Sequence, residues 1–218
     1  MDSRRTSMKV AILGTGTVGQ ALARGFVALG HDTTFGSREP SRATAQKAVA
    51  EAPGTHAAPF ADAAREADLV VLATPWSGTQ NAVALTGAAN LAGKVMIDVT
   101  NPLDFSGGSP RLALGFDTSA GEQVQAWAPQ ARVVKAFNTV GNGMMVRPKL
   151  RQAPTMFIAG NDAAAKGTVA GLLRQFGWET SDLGGIEASR LLEPLAMVWI
   201  KHAFKNNAWM FVLTPVDA

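Results

Sequence analysis

The sequence predicts an α/β fold: a Rossmann-type, doubly wound, mostly parallel sheet with a small C-terminal α/β extension that ends in a long helix. Three observations carry this. Short apolar runs alternate with helical segments, as in a parallel sheet covered on both faces. The first apolar run, Lys9-Val10-Ala11-Ile12-Leu13, leads into the glycine cluster Gly14-Thr15-Gly16-Thr17-Val18-Gly19, which opens a helical run. After residue 142 the rhythm shifts to a second, shorter strand–helix–strand–helix series. The division is a first domain over 1–142 and a small second domain over 143–218.

Taken in order, the first strand covers 8–13 and its helix 17–29. Gly30-His31-Asp32 turns the chain into a second strand around Thr33 to Phe35. A helix is expected from Ser41 to Glu51, with Pro40 in the entry turn. Pro53-Gly54 breaks it ahead of an edge strand, Thr55 to Ala57, and a short helix from Phe60 to Glu66. Asp68-Leu69-Val70-Val71-Leu72-Ala73 is apolar almost throughout, as a strand buried on both faces must be. A helix from Gly78 to Leu85 and the strand Lys94 to Asp98 follow. Residues 101–110, rich in Gly, Pro and Ser, read as a loop. A helix from Gly121 to Trp127 precedes the strand Arg132 to Phe137, and a long loop covers 141–149.

In the extension, Thr155 to Gly160 reads as a strand. A helix from Asp162 to Phe176 has Asn161 as its expected N-cap and Gly177 as its stop. Trp178 to Asp182 is a short strand. The last helix is expected from Glu187 to Phe211, kinked or restarted at Pro194. Leu191, Leu195 and Val198 lie on one side of it, with Leu192, Ala196 and Trp199 beside them. That band is wide enough to pack against another domain or subunit.

The glycine cluster lies between strand and helix, the setting in which G-x-G-x-x-G binds a dinucleotide. Gly14 permits the tight turn, Gly16 lets the backbone approach a pyrophosphate, and Gly19 lets helix and strand pack closely. The second strand ends in Gly36-Ser37-Arg38, with no acid before Glu39. An acid there would bind the ribose hydroxyls of NAD, whereas a hydroxyl and a guanidinium suit a 2′-phosphate. The expected cofactor is NADP(H).

Composition narrows the alternatives. The 218 residues carry a net charge of +3, with no basic stripe, so neither composition nor pattern points to nucleic acid. There is no cysteine, which rules out thiolate catalysis and cysteine-held metal and fits a cytoplasmic setting. Residues 1–7 lack the apolar core of a signal peptide, and no apolar run approaches the roughly 20 residues that span a membrane. No metal-ligand spacing and no Ser/His/Asp arrangement stands out.

Ligands of open α/β sheets bind at the carboxyl ends of the strands. Those ends carry Thr74-Pro75-Trp76, Asp98 to Pro102 and Asn138-Thr139-Val140-Gly141. Trp76 either walls a nicotinamide or ribose pocket or packs on the next helix. Asp98 either orients a ribose or water or caps its own turn. Lys135 either pairs with a carboxylate or points at phosphate. Asn138 and Thr139 are candidates to bond the nicotinamide carboxamide, and Asn101 and Gly141 complete the candidate cofactor contacts. His202 is placed near the cleft or on a helix surface, and Arg147, Lys149 and Arg151 either hold an anionic ligand tail or form a solvated face. A deep cleft lined by Trp76, Met144, Met145 and the last helix would favour an enzyme, and a closed cleft a non-catalytic NADPH sensor.

Five segments together carry a resemblance: the glycine cluster, Gly36-Ser37-Arg38, Ala73 to Trp76, Ile97 to Pro102, and Val134-Lys135-Ala136-Phe137-Asn138-Thr139. The set resembles the NADPH-dependent coenzyme F-420 reductases and the oxidoreductase domain of the STEAP ferric reductases. It continues through Phe157 to Gly160 and Arg190 to Leu195. The resemblance implies an NADP-binding domain followed by a smaller domain, usually in a homodimer. It also implies direct hydride exchange between NADPH and a deazaflavin, with no catalytic side chain. Thr15, Ser37 and Arg38 would bind the 2′-phosphate side and Gly14 to Gly19 the pyrophosphate. Thr74 to Trp76 and Asn138 to Gly141 would flank the nicotinamide. The alternative acceptors are a flavin, a quinone-like compound or ferric iron, and the alternative of another class is a non-catalytic NADPH sensor.

Overall fold

The computed structural model describes residues 7–216. Eight strands form one sheet: β1 (Lys9–Leu13), β2 (Asp32–Ser37), β3 (Thr55–Pro59), β4 (Leu69–Leu72), β5 (Val95–Asp98), β8 (Arg132–Lys135), β9 (Thr155–Gly160) and β10 (Glu179–Asp182). Their order is β10-β9-β8-β5-β4-β1-β2-β3. From β3 to β8 all pairings are parallel. This is the doubly wound order, and its reversal between β1 and β4 opens a crevice at the strand ends. β9 joins β8 antiparallel, and β10 joins β9 parallel. The C-terminal extension therefore continues the same sheet. The remaining pair, β6 (Leu103–Asp104) and β7 (Arg111–Leu112), is a separate antiparallel hairpin inside the segment read as a loop. Its hydrogen bonds are too few to leave an alternating pattern in the sequence.

The helices are α1 (Thr17–Ala28), α2 (Ala43–Glu51), α3 (Phe60–Glu66), α4 (Trp76–Thr86), α5 (Ala88–Leu91), α6 (Ala120–Trp127), α7 (Ala163–Gln175) and α8 (Ser189–Asn206). Two apolar clusters lie on the two sheet faces. One joins Ile12, Phe26, Val71, Phe137 and Phe176. The other joins Leu13, Phe60, Leu72, Met96 and Val124. Alternate residues of each strand feed opposite clusters, which is why the central strands are apolar throughout.

Three boundaries differ from expectation. α2 begins at Ala43, so Pro40 lies before the helix rather than in its first turn. The α7 cap is Asp162, whose carboxylate accepts from Ala165 N at 2.7 Å. Asn161 instead accepts from Ile186 N at 2.9 Å, a partner 25 residues away. The last helix is shorter, running unbroken through Pro194 and stopping where Asn207 turns left-handed at φ +49°. Beyond it the chain folds back. Phe211 stacks on Trp199 at 5.2 Å and accepts from the indole Nε1 at 3.0 Å. The apolar run that suggested more helix is thus a strap covering Trp199.

Candidate functional site

Steric limits build the crevice. Gly14 has φ +125°, and a Cβ there would stand 2.4 Å from the carbonyl oxygen of Ala73. The loops after β1 and β4 can meet this closely only through glycine. A Cβ on Gly19 would strike the Gly14 carbonyl oxygen at 2.4 Å, so α1 lies close against its strand for the same reason. In front of Gly16, by contrast, there is open space. Gly16 caps α1 with no side-chain hydrogen bond, so the first amides of α1 face the crevice with their partial positive charge. These residues fit a pyrophosphate.

On one side of Gly16 a cavity of about 480 Å³ is lined by Thr15, Ser37, Arg38, Arg42, Thr44, Thr74 and Asn81, among others. Among the described residues no carboxylate pairs with Arg38, whereas Arg42 lies 3.9 Å from Glu39. Arg42 and Thr44 were missed in the sequence. Arg42 is the N-cap residue of α2 and lies just past a turn in which its N–H donates to Glu39 O at 3.1 Å.

On the other side a cavity of about 360 Å³ is lined by Thr17, Val18, Trp76, Val99, Thr100, Asn101, Leu103 and Phe105. Gly16, Thr74, Pro75 and Ser77 border both cavities. Among the described residues, none lining this second cavity is Asp, Glu, His, Lys or Arg. Trp76 opens α4 and packs on the end of α6 rather than on the helix that follows it. It lines the cavity, and its ring stacks on Trp127 at 5.4 Å and 25°. Leu103 and Phe105 come from the unanticipated hairpin.

Asn138 and Thr139 do not line either cavity. The Asn138 amide donates to Asn101 Oδ1 (3.1 Å) and Leu192 O (3.0 Å), while Asn101 Nδ2 donates to Asn138 O (2.8 Å). Both amide protons of Asn138 are committed, and it acts on the cavity by holding Asn101. The turn that brings it there is formed by Phe137, which has φ +62°, uncommon for an aromatic residue. Gly141 packs under Trp199, where a Cβ would come within 2.7 Å of the ring. Met144 and Met145 are buried in the core and do not line the cleft. His202 is exposed, with Nδ1 3.3 Å from Asn206 Nδ2. Arg147, Lys149 and Arg151 are exposed and border neither cavity of the crevice.

Beneath the cavity lies a buried charge cluster. The Lys135 ammonium, with none of its side chain exposed, reaches Asp98 Oδ2 (3.0 Å), Glu193 Oε1 (3.0 Å) and Thr100 O (2.6 Å). Burial alone would push its pKa down, but Asp98 and Glu193 outweigh that and hold it above its ordinary value. Asp98 Oδ1 also accepts from Thr100 N (2.9 Å) and Oγ1 (2.7 Å), so it caps its own turn. Glu193 accepts from Ala120 N (2.9 Å) and Gly121 N (3.1 Å), serving as the cap of α6 from α8. The structural readings of Asp98 and Lys135 are the ones realised.

The family profile described as "NADP oxidoreductase coenzyme F420-dependent" matches residues 9–102. The chain is 31% identical to the F420-dependent NADP reductase of Methanocaldococcus jannaschii, over 96% of this chain and all of that one. It superposes with a TM-score of 0.91 on the crystal structure of an Arthrobacter sp. FB24 protein described as an F420-dependent NADP reductase. That protein is 41% identical, and the match covers 97% of this chain and all of the other. It is also 26% identical to the metalloreductase STEAP3 of Rattus norvegicus, over 87% of this chain and 36% of that protein.

Proposed function

The chain belongs to the coenzyme F-420-dependent NADP oxidoreductases, and on that premise we propose that it transfers hydride between NADPH and the deazaflavin coenzyme F-420. One observation carries the finer part of this reading. The cavity beside the expected nicotinamide position is aromatic and apolar, with hydroxyls and one amide but no titratable side chain. Reduction of a carbonyl or imine needs a positioned proton donor. Hydride passage between two stacked rings needs chiefly proximity and exclusion of water. NADPH loses a hydride to become NADP⁺, and the acceptor ring takes that hydride together with a proton from water.

In this reading Ser37, Arg38 and Arg42 hold the 2′-phosphate, with Thr15 beside them, and Gly14 to Gly19 hold the pyrophosphate. Thr74, Pro75, Trp76 and Asn101 border the nicotinamide. Asn138, Thr139 and Gly141 support that edge from behind. Residues 1–142 bind the dinucleotide, and residues 143–218 buttress the cleft and pair two copies through α8. Among the described residues no helix is long and apolar enough to cross a membrane. The absence of cysteine accords with a cytoplasmic enzyme.

The test is NADPH oxidation followed at 340 nm with coenzyme F-420, FMN, FAD and ferric chelates in parallel. Saturable turnover with F-420 above all others is expected. Preference for a flavin or a ferric chelate would move the acceptor assignment. Tight NADPH binding with no turnover on any acceptor would replace the enzyme by a sensor.

A further inference from the structure

We propose that Phe105, carried to the cleft mouth by the β6–β7 hairpin, is the stacking platform that selects a planar heteroaromatic ring as electron acceptor. This rests on the hydride-transfer reading of the same cleft. Phe105 is 60% exposed while lining the cavity with Trp76, Leu103 and Val99. A two-residue pairing such as β6–β7 is marginal by itself. Here it is held at several points. The Asp104 carboxylate accepts from Ser106 N (2.8 Å), Ser106 Oγ (3.0 Å) and Arg111 Nε (2.8 Å). The Ser106 backbone and hydroxyl donors, followed by Arg111, hold its pKa down at about 2. Ala113 N donates to Pro102 O at 2.7 Å. From α8, Lys201 Nζ donates to Ser109 Oγ at 2.8 Å, and Leu103 packs on the Trp199–Ile200–Ala203 cluster.

The hairpin thus presents a large aromatic side chain from an anchored support, without a covering group among the described residues. Trp76 is itself fixed, backed by Trp127. Aromatic rings pair favourably in offset-stacked or edge-to-face arrangements, either of which an exposed Phe105 offers an incoming planar ring. Asn101, whose Nδ2 donates one proton to Asn138 O, has a second for the polar edge of such a ring, and no charge in the lining would attract a metal chelate.

The test is a fluorescence titration of the full-length, NADP⁺-loaded protein with coenzyme F-420 and with FMN. Phe105→Ala is expected to weaken binding of the preferred ring roughly tenfold, and Phe105→Trp to retain it, with NADP⁺ affinity unchanged in both. Unchanged ring affinity in Phe105→Ala overturns the proposal, as does failure of the wild type to bind either ring. A change of oligomeric state in Phe105→Ala with unchanged ring affinity overturns it as well, and assigns the side chain to a second copy. Phe105-dependent binding without NADPH oxidation would refute the proposed reaction and leave the platform standing. Turnover with an unaltered KM for F-420 in Phe105→Ala would do the reverse.

Discussion

At the end of β2, Arg38 lines the cleft and among the described residues forms no ion pair, while Ser37 Oγ makes 3.3 Å contacts with Glu39 backbone atoms. A cation without an ion-pair partner beside a helix N-terminus is available to a phosphate. Hydrogen bonds to charged groups contribute about 1.5–3 kcal/mol. Arg38→Ala should therefore raise the KM for NADPH roughly tenfold or more, and leave that for NADH nearly unchanged. Steady-state kinetics with both nucleotides checks this, and equal effects on the two would remove the 2′-phosphate assignment. The placement of Arg38 and the three glycines at the crevice was legible because it depends on a few adjacent residues. Arg42 and Phe105 were not, because each reaches the cleft through the placement of another element.

Among the elements, α8 shows best how periodicity and context divide the work. Its inner positions Leu192, Ala196 and Trp199 are buried, whereas Leu191 and Val198 are 66% and 58% exposed. An apolar stripe of that kind on an outer helix face is suited to a second copy of the chain. Val198→Asp should convert the proposed dimer to monomer in sedimentation equilibrium without altering NADP⁺ affinity. A wild-type chain that already sediments as a monomer would end the dimer assignment. The sequence showed the two-sided band of α8. It did not show the helix end, because Trp209 to Leu213 are as apolar as a helix face and the strap turns on Asn207. The β6–β7 hairpin was illegible for a related reason: it is stabilised by Asp104, Arg111 and Lys201 rather than by a run of strand-forming residues.

Across the whole molecule, Lys135 joins β8 to β5 through Asp98 and to α8 through Glu193, and Glu193 in turn holds α6. Removing one partner from a buried ion cluster leaves the others uncompensated, at a cost of about 3–5 kcal/mol. Lys135→Met should lower the urea midpoint by a corresponding amount. Combining it with Asp98→Asn and Glu193→Gln should recover part of the loss, since no unpaired charge then remains buried. A single variant as stable as the wild type would show that the cluster contributes little. By itself, the sequence determined the doubly wound sheet, the glycine turn and the Ser37-Arg38 end of β2, because steric freedom and hydrophobic period act within a few residues. Only the tertiary structure decided that Lys135 pairs rather than binds phosphate, that Asn138 supports Asn101, and that Phe105 stands at the cleft. Those outcomes depend on contacts between residues 37 to 54 positions apart, or on separate elements, and folding alone brings such groups together.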